Sequence, residues 1–280
     1  MGVIHKRFRA TFAACGIAVI FGAPARAADA SPWVADSYSA VRLITGANKS
    51  DAESLRAGIE MKIQPGWHTY WRYPGDSGVP PHFSFSGSDN LAAVKVLYPA
   101  PRALNDEAGT TIGYKGNVIL PLRVYPRQKD KPVTLRVKID YAVCEKLCVP
   151  VEASAELTIP GAGGETDALL AAAEAQVPKP VSAAEAGLIA RRVNDDTRKP
   201  LVFVDLATAT GNPTDIFVEG PTAEWALPIP KPAQGAPDGN QRFSFELDGL
   251  PPGVDPKGPF ELTFTIVRGD RATEVKTHLD

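Results

Sequence analysis

Val133-Thr134-Leu135-Arg136-Val137-Lys138-Ile139-Asp140-Tyr141-Ala142-Val143-Cys144-Glu145-Lys146-Leu147-Cys148-Val149-Pro150-Val151-Glu152-Ala153-Ser154-Ala155-Glu156-Leu157-Thr158-Ile159 decides the fold. Apolar residues recur at every second position from Val133 to Val143, and again from Val149 to Ile159. A period of two marks a half-buried strand. The segment therefore reads as a β-hairpin whose two cysteines face each other across a short connection.

The rest of the chain agrees with a β architecture. Its 26 prolines and 24 glycines punctuate it with turns. Leu55, Ala57, Ile59, Met61 and Ile63 alternate with polar neighbours before Gln64-Pro65-Gly66 breaks the run. Further strands are expected at Ala40–Thr45, His82–Ser86, Ala93–Tyr98 and Val118–Tyr125. About seven short strands separated by turn signals predict an antiparallel sandwich of immunoglobulin type over residues 31–160.

Gly161–Gly164 reads as a linker. The alanine-rich stretches Asp167–Gln176 and Ser182–Arg192, parted by Pro178-Lys179-Pro180, are helix-compatible, so residues 161–198 are expected to be a linker with short helices. Strand patterns return at Leu201–Leu206, Asp215–Glu219, Arg242–Leu247 and a hairpin from Phe260 to His278 turning at Gly269-Asp270. Pro228–Asn240 reads as a loop. Residues 199–280 are thus expected to form a second, smaller β-sandwich, and the chain as a whole two such domains. A chain of 280 residues exceeds the usual single core.

The first 27 residues read as an export leader. Lys6, Arg7 and Arg9 precede an apolar run from Ala10 to Ala23, and Ala25-Arg26-Ala27 has the small-x-small form of a cleavage site. The run is too short to span a bilayer, so cleavage after Ala27 is expected. Removing four cations takes the formal charge from −2 to −6. A mildly acidic surface argues against nucleic acid or anionic membrane as partner. No other segment is apolar enough for membrane insertion. The expected location is an oxidising compartment, the bacterial periplasm, where disulfides persist.

Cys144 and Cys148 are the only cysteines outside the leader, which holds Cys15. Spacing alone leaves several readings open. As a staple, a bridge closing about five residues contributes only ~2 kcal/mol in the loop-closure treatment, against ~3 for fifteen. An accessible bridge at a hairpin tip suits exchange instead. Lys146 favours a thiolate there and Glu145 opposes it. Two thiolates joined by His68, His82 or Met61 would suit Cu(I), although nothing in the spacing places those side chains together. Hydrolysis by a nucleophilic cysteine lacks an oriented base.

A second dense feature is Gly66-Trp67-His68-Thr69-Tyr70-Trp71-Arg72-Tyr73-Pro74-Gly75-Asp76-Ser77-Gly78-Val79-Pro80-Pro81, with four aromatic rings in seven residues. It reads either as core packing at a sheet corner or as a cover for the sulfurs. This stretch, Gly109-Thr110-Thr111-Ile112-Gly113-Tyr114-Lys115-Gly116 with Leu120-Pro121, and Tyr141–Pro150 together resemble the N-terminal periplasmic domain of the thiol:disulfide interchange protein DsbD, most closely its ScsB-type relatives.

The resemblance covers about Trp33 to Pro160 and implies an immunoglobulin-like domain whose cysteine pair shuttles between dithiol and disulfide. The redox-active Cys144–Cys148 disulfide then replaces any bound cofactor. A membrane electron-transfer protein is the implied donor, and an oxidised periplasmic thioredoxin-like protein the acceptor. Cys148 matches the cysteine that forms the mixed disulfide, and Cys144 the one that resolves it. The loop Gly109–Gly116 matches the cap over the pair, with Ile112 or Tyr114 as the covering side chain. Tyr70 falls where the family has a tyrosine beside the sulfurs. Neither a membrane domain nor a thioredoxin-like C-x-x-C occurs in the 280 residues, so either separate proteins supply those parts or the chain has lost the relay and keeps a binding role. The alternative is a non-enzymatic binding module, for a protein or copper, with a structural bridge.

Overall fold

The computed structural model describes residues 1–2, 28–47, 53–75, 78–106, 109–161, 164–193, 199–208, 214–237 and 239–280. Residues 3–27 of the leader, including Cys15 and the Ala25-Arg26-Ala27 motif, lie outside them. Among the described residues no helix is long and apolar enough to cross a membrane.

Two immunoglobulin-like sandwiches follow one another. In the first, one sheet is built from β1 (Val34–Ala35), β2 (Ser39–Thr45), β3 (Leu55–Ile63), β6 (Leu91–Val96) and β9 (Asn117–Pro126), ordered β1-β2-β3-β9-β6. The facing sheet contains β4 (His68–Gly75), β7 (Arg102–Asp106), β8 (Gly109–Lys115), β10 (Val133–Cys144) and β11 (Cys148–Ile159), ordered β11-β10-β4-β8-β7. A short β5 (His82–Ser84) pairs with β10. Between the sheets lie Val41, Leu43, Ile59, Met61, Leu120 and Leu122 from one side, and Trp71, Leu135, Val137, Ile139, Tyr141 and Val143 from the other. The predicted period of two is kept along β10 and β11: Val133, Leu135, Val137 and Ile139 are buried, while Lys138, Glu152, Ser154 and Glu156 are exposed.

The expected linker is divided between the two sandwiches. Helix α1 (Asp167–Ala175) lies on the outer face of the first sheet. Gly58 makes room for it, since a Cβ there would stand 3.0 Å from Leu170 Cδ1 and 3.3 Å from Ile44 Cγ1. Burying Leu170 is worth about 1.5–3 kcal/mol. Arg56 bridges Asp167 and Glu174 at 2.7 Å each, and Arg123 also reaches Glu174.

The helix expected at Ser182–Arg192 is only one turn long, α2 (Ala183–Ala186). Ser182 and Glu185 form its capping box, and Gly187 ends it at φ 62° in the left-handed region. The chain then satisfies its backbone by pairing β13 (Leu188–Val193) with β14 (Leu201–Ala207). Upstream, β12 (Lys179–Val181) pairs in parallel with β19 (Arg271–Leu279). The second sandwich therefore begins near residue 179 rather than 199.

Its remaining strands are β15 (Thr214–Glu219), β16 (Lys231–Ala233), β17 (Asn240–Glu246) and β18 (Phe260–Arg268). They complete sheets of order β12-β19-β18-β15 and β13-β14-β17-β16. Ile216 and Val218 face the core of this domain. Phe217, pointing the other way, joins Val267 in the core of the first domain and meets the Trp71 ring at 6.0 Å. That two-sided burial explains three consecutive buried residues in β15.

Burial works against the Glu174 charge, but hydrogen bonds from Arg56 and Arg123 outweigh it and hold the carboxyl below its usual 4.5. Asp167 is lowered too, by the Ala47 amide first and Arg56 second. A folded pKa below the unfolded one means stability that is complete above the unfolded value and lost as pH falls through the folded value. The melting temperature should therefore drop on acidification below about pH 4.5, and Glu174→Gln should flatten part of that drop. Identical acid profiles for variant and parent in a thermal melt would show that the α1 clamp contributes nothing.

Candidate functional site

Cys144 and Cys148 are the last pair in the uninterrupted register of β10 and β11, joined by the three residues Glu145 to Leu147. They form a disulfide with an S–S distance of 2.05 Å and Cα atoms 4.1 Å apart. The two sulfurs have different surroundings because their strands do. β10 is interior to its sheet, flanked by β4, whose His68 stands opposite Cys144. β11 is the edge strand. Cys144 is accordingly 3% exposed, whereas Cys148 is exposed to solvent.

Register also fixes what covers the bond. Val143 opposes Thr69 and Cys144 opposes His68, so Ala142 comes beside Tyr70. Alternation puts Tyr70, Ala142 and Cys144 together on the outer face of the sheet, as a small cluster separate from the sandwich core. The Tyr70 hydroxyl lies 2.8 Å from Cys144 Sγ and 3.2 Å from Cys148 Sγ. A disulfide sulfur carries no proton, so the phenol is the donor in both contacts. The Thr69 hydroxyl donates to the Ala142 carbonyl at 2.9 Å and ties the two strands together beneath the site. The buried His68 ring stands edge-on to Tyr70 with centroids 5.5 Å apart.

The expected cap is a correction. Gly109–Lys115 is a strand, β8, and not a loop over the sulfurs. Tyr114 opposes Thr69 and Gly113 opposes Tyr70, so Tyr114 and Ile112 point to the opposite face from Tyr70. Both belong to the sandwich core, where the Tyr114 hydroxyl donates to the Pro99 carbonyl at 2.8 Å. Full burial pushes the Tyr114 phenol well above its usual value. Gly113 is what lets β8 press so close, since a Cβ there would stand 2.0 Å from the Thr69 carbonyl oxygen.

The cover comes instead from Tyr70, backed by Gly78. A Cβ on Gly78 would fall 2.4 Å from the Tyr70 ring, so this glycine lies directly on it. Its φ of 148° is a conformation that side chains disfavour. The turn-rich Gly75–Pro81 segment carried that signal. Around the tip, Glu145 folds toward Gly66, where a Cβ would meet its Oε1 at 2.8 Å. Leu147 is 78% exposed and Val79 50%, two apolar side chains left in solvent.

Of the candidate metal ligands only His68 comes near the cysteines. Met61 is buried in the core, and His82 is exposed on β5 opposite Asp140. Among the described residues, no group of three His, Cys, Asp or Glu side chains is placed to hold a metal.

Cys148 is the solvent-exposed residue of the pair, so an incoming thiolate would approach on its side. Its attack would expel Cys144 as a thiolate beneath a hydroxyl already positioned to donate to it. A hydrogen bond to the leaving sulfur lowers its pKa and speeds departure. Tyr70→Phe should therefore slow reduction of the bridge by dithiothreitol roughly threefold to tenfold. Stopped-flow reduction at fixed pH measures this, and an unchanged rate would remove Tyr70 from the chemistry.

Residues 40–160 match the family model for the N-terminal domain of thiol:disulfide interchange protein DsbD. Among solved structures, the N-terminal periplasmic domain of ScsB from Proteus mirabilis is 17% identical, with a TM-score of 0.67 over 90% of this chain and 98% of that one. At that identity the likeness is one of fold. The reduced N-terminal domain of DsbD from Neisseria meningitidis is 12% identical, covering 44% of this chain and 86% of its own, with a TM-score of 0.26. No curated protein matches the chain.

Proposed function

We propose, because residues 40–160 are a DsbD N-terminal-like domain, that this chain is a periplasmic thiol–disulfide exchange module. Its electrons come from a dithiol on a membrane electron-transfer protein and go to the disulfide of an oxidised thioredoxin-like protein. The leader pattern supports the location, as does the likeness to a periplasmic ScsB domain.

In the first half-cycle the donor thiolate attacks Cys148 Sγ. The Cys144–Cys148 bond breaks, Cys144 leaves as the thiolate, and a donor–Cys148 mixed disulfide forms. The donor's second thiolate then displaces Cys148, leaving the donor oxidised and the pair reduced by two electrons. In the second half-cycle the Cys148 thiolate attacks the acceptor disulfide and releases one acceptor thiolate. Cys144 then attacks Cys148 Sγ, freeing the second acceptor thiolate and restoring the bridge.

The observation that carries this reading is the unequal exposure of two bonded cysteines, Cys148 in solvent and Cys144 buried, with one phenol hydroxyl within reach of both sulfurs. A staple is a weaker account. The ladder from Val133↔Ile159 to Val143↔Val149 already closes the hairpin, so the bridge adds only ~2 kcal/mol of chain-entropy stabilisation.

Trapping tests the proposal. Cys144→Ala, incubated in periplasmic extract, should accumulate covalent adducts through Cys148 on a non-reducing gel. Cys148→Ala should yield far fewer, because its remaining sulfur is buried. If neither variant forms adducts and the parent bridge stays oxidised under mild reductant, the exchange reading fails and the pair is a staple.

A further inference from the structure

The strand that carries Tyr70 keeps its register up to that residue and becomes irregular directly after it. Tyr70 opposes Gly113 and Gly75 opposes Thr111, with a register shift between. Five steps along β4 thus match two along β8, and the intervening residues bulge out of the ladder. A bulge without ladder bonds needs other partners to hold one position.

Those partners come from the second sandwich. Arg72, two residues beyond Tyr70, binds Glu219 through two hydrogen bonds of 2.8 and 2.7 Å, and Glu274 at 2.7 Å. Glu219 ends β15 and Glu274 lies in β19. The Arg72 guanidinium also lies 4.5 Å over the Trp71 ring, which packs on Phe217. The Tyr73 hydroxyl donates to the Leu227 carbonyl. A Cβ on Gly75 would meet Ile229 Cδ1 at 3.2 Å. Every step of the bulge from Trp71 to Tyr73 is therefore gripped by residues of the second domain. A cleft of about 550 Å³ runs along this junction, with Arg72, Gly78, Glu219 and Trp225 in its walls. Gly78, in the wall of this cleft, is the residue that rests on the Tyr70 ring.

We propose that the second sandwich positions the redox pair: by clamping the β4 bulge through Arg72 and Tyr73, it holds the Tyr70 hydroxyl on the two sulfurs. Arg72 is a positioning residue, since it touches neither sulfur. A planar guanidinium answering two carboxylates fixes orientation in a way that a point charge on a flexible stem does not. This rests on the exchange reading, and deepens it by assigning the second domain a part in the chemistry.

The test is a double-mutant cycle on the full chain, reading the rate of bridge reduction by excess dithiothreitol. Arg72→Gln should slow reduction about threefold to tenfold when Tyr70 is present, and produce no further slowing in a Tyr70→Phe background. Arg72→Lys should restore little of the loss. Tyr73→Phe, which deletes only one hydroxyl, gives a second route should Arg72→Gln fold poorly by circular dichroism. It should slow reduction less, again only when Tyr70 is present. Parent-like rates in a folded Arg72→Gln or Tyr73→Phe protein would overturn the proposal. Equal slowing with and without the Tyr70 hydroxyl would overturn it as well, by showing a general structural effect. An excess of small dithiol reduces an exposed bridge whether or not a protein partner exists. Failure of the trapping experiment is therefore distinguishable from failure here.

Discussion

β10 is flanked on both sides at the level of Cys144, by β4 and by β11, while β11 has a neighbour on one side only. From this placement comes the inequality between two cysteines that are otherwise alike in sequence. Sheet register makes them cross-strand partners and therefore a bond. Sheet order makes one interior and one edge, and therefore one buried and one exposed. The same register lifts Tyr70 and Ala142 onto the outer face, where they surround Cys144 away from the main core. No separate lid is needed to shelter the buried sulfur, because β4 supplies both the neighbouring strand and the covering ring.

β4 serves two faces and two domains. Thr69 and Trp71 look into the first sandwich, and Tyr70 looks out at the disulfide. Arg72 and Tyr73 reach into the second domain. The four aromatics that sequence shows crowded into Trp67–Tyr73 therefore do different work. Trp67 stacks on Tyr38, Trp71 is a core residue at the domain junction, Tyr73 is an anchor, and only Tyr70 meets the sulfurs. Alternation along one strand separates these roles, and the bulge ends the alternation where the second domain takes hold.

Several elements were legible in the sequence because their signals are local. The β10–β11 hairpin, the nine residues of β3 and the turn at Gly269-Asp270 follow from period-two patterning and turn chemistry. Strands buried on both faces were harder. His68–Trp71 and Thr111–Tyr114 are each four consecutive buried residues, so no alternation reveals them, and β8 reads as a loop. The stretch Leu188–Val193 looks helical by composition, yet pairing with β14 overrides that preference. Helix α1 was visible as a helix, but its docking on Ile44 depends on the space at Gly58, far away in the chain.

By itself the sequence determined that two cysteines would meet at a hairpin tip, since side-chain period and loop length are properties of one short segment. It also named Tyr70, through resemblance. The sequence did not show that Ile112 and Tyr114 would turn inward while Tyr70 faces the sulfurs, nor that Arg72 would be grasped by Glu219 and Glu274. Those outcomes depend on which strand lies beside which and in what register, and on how a second sandwich packs against an irregular strand. Tertiary structure alone decides them, because burial and hydrogen bonding between distant segments are settled only when the sheets assemble.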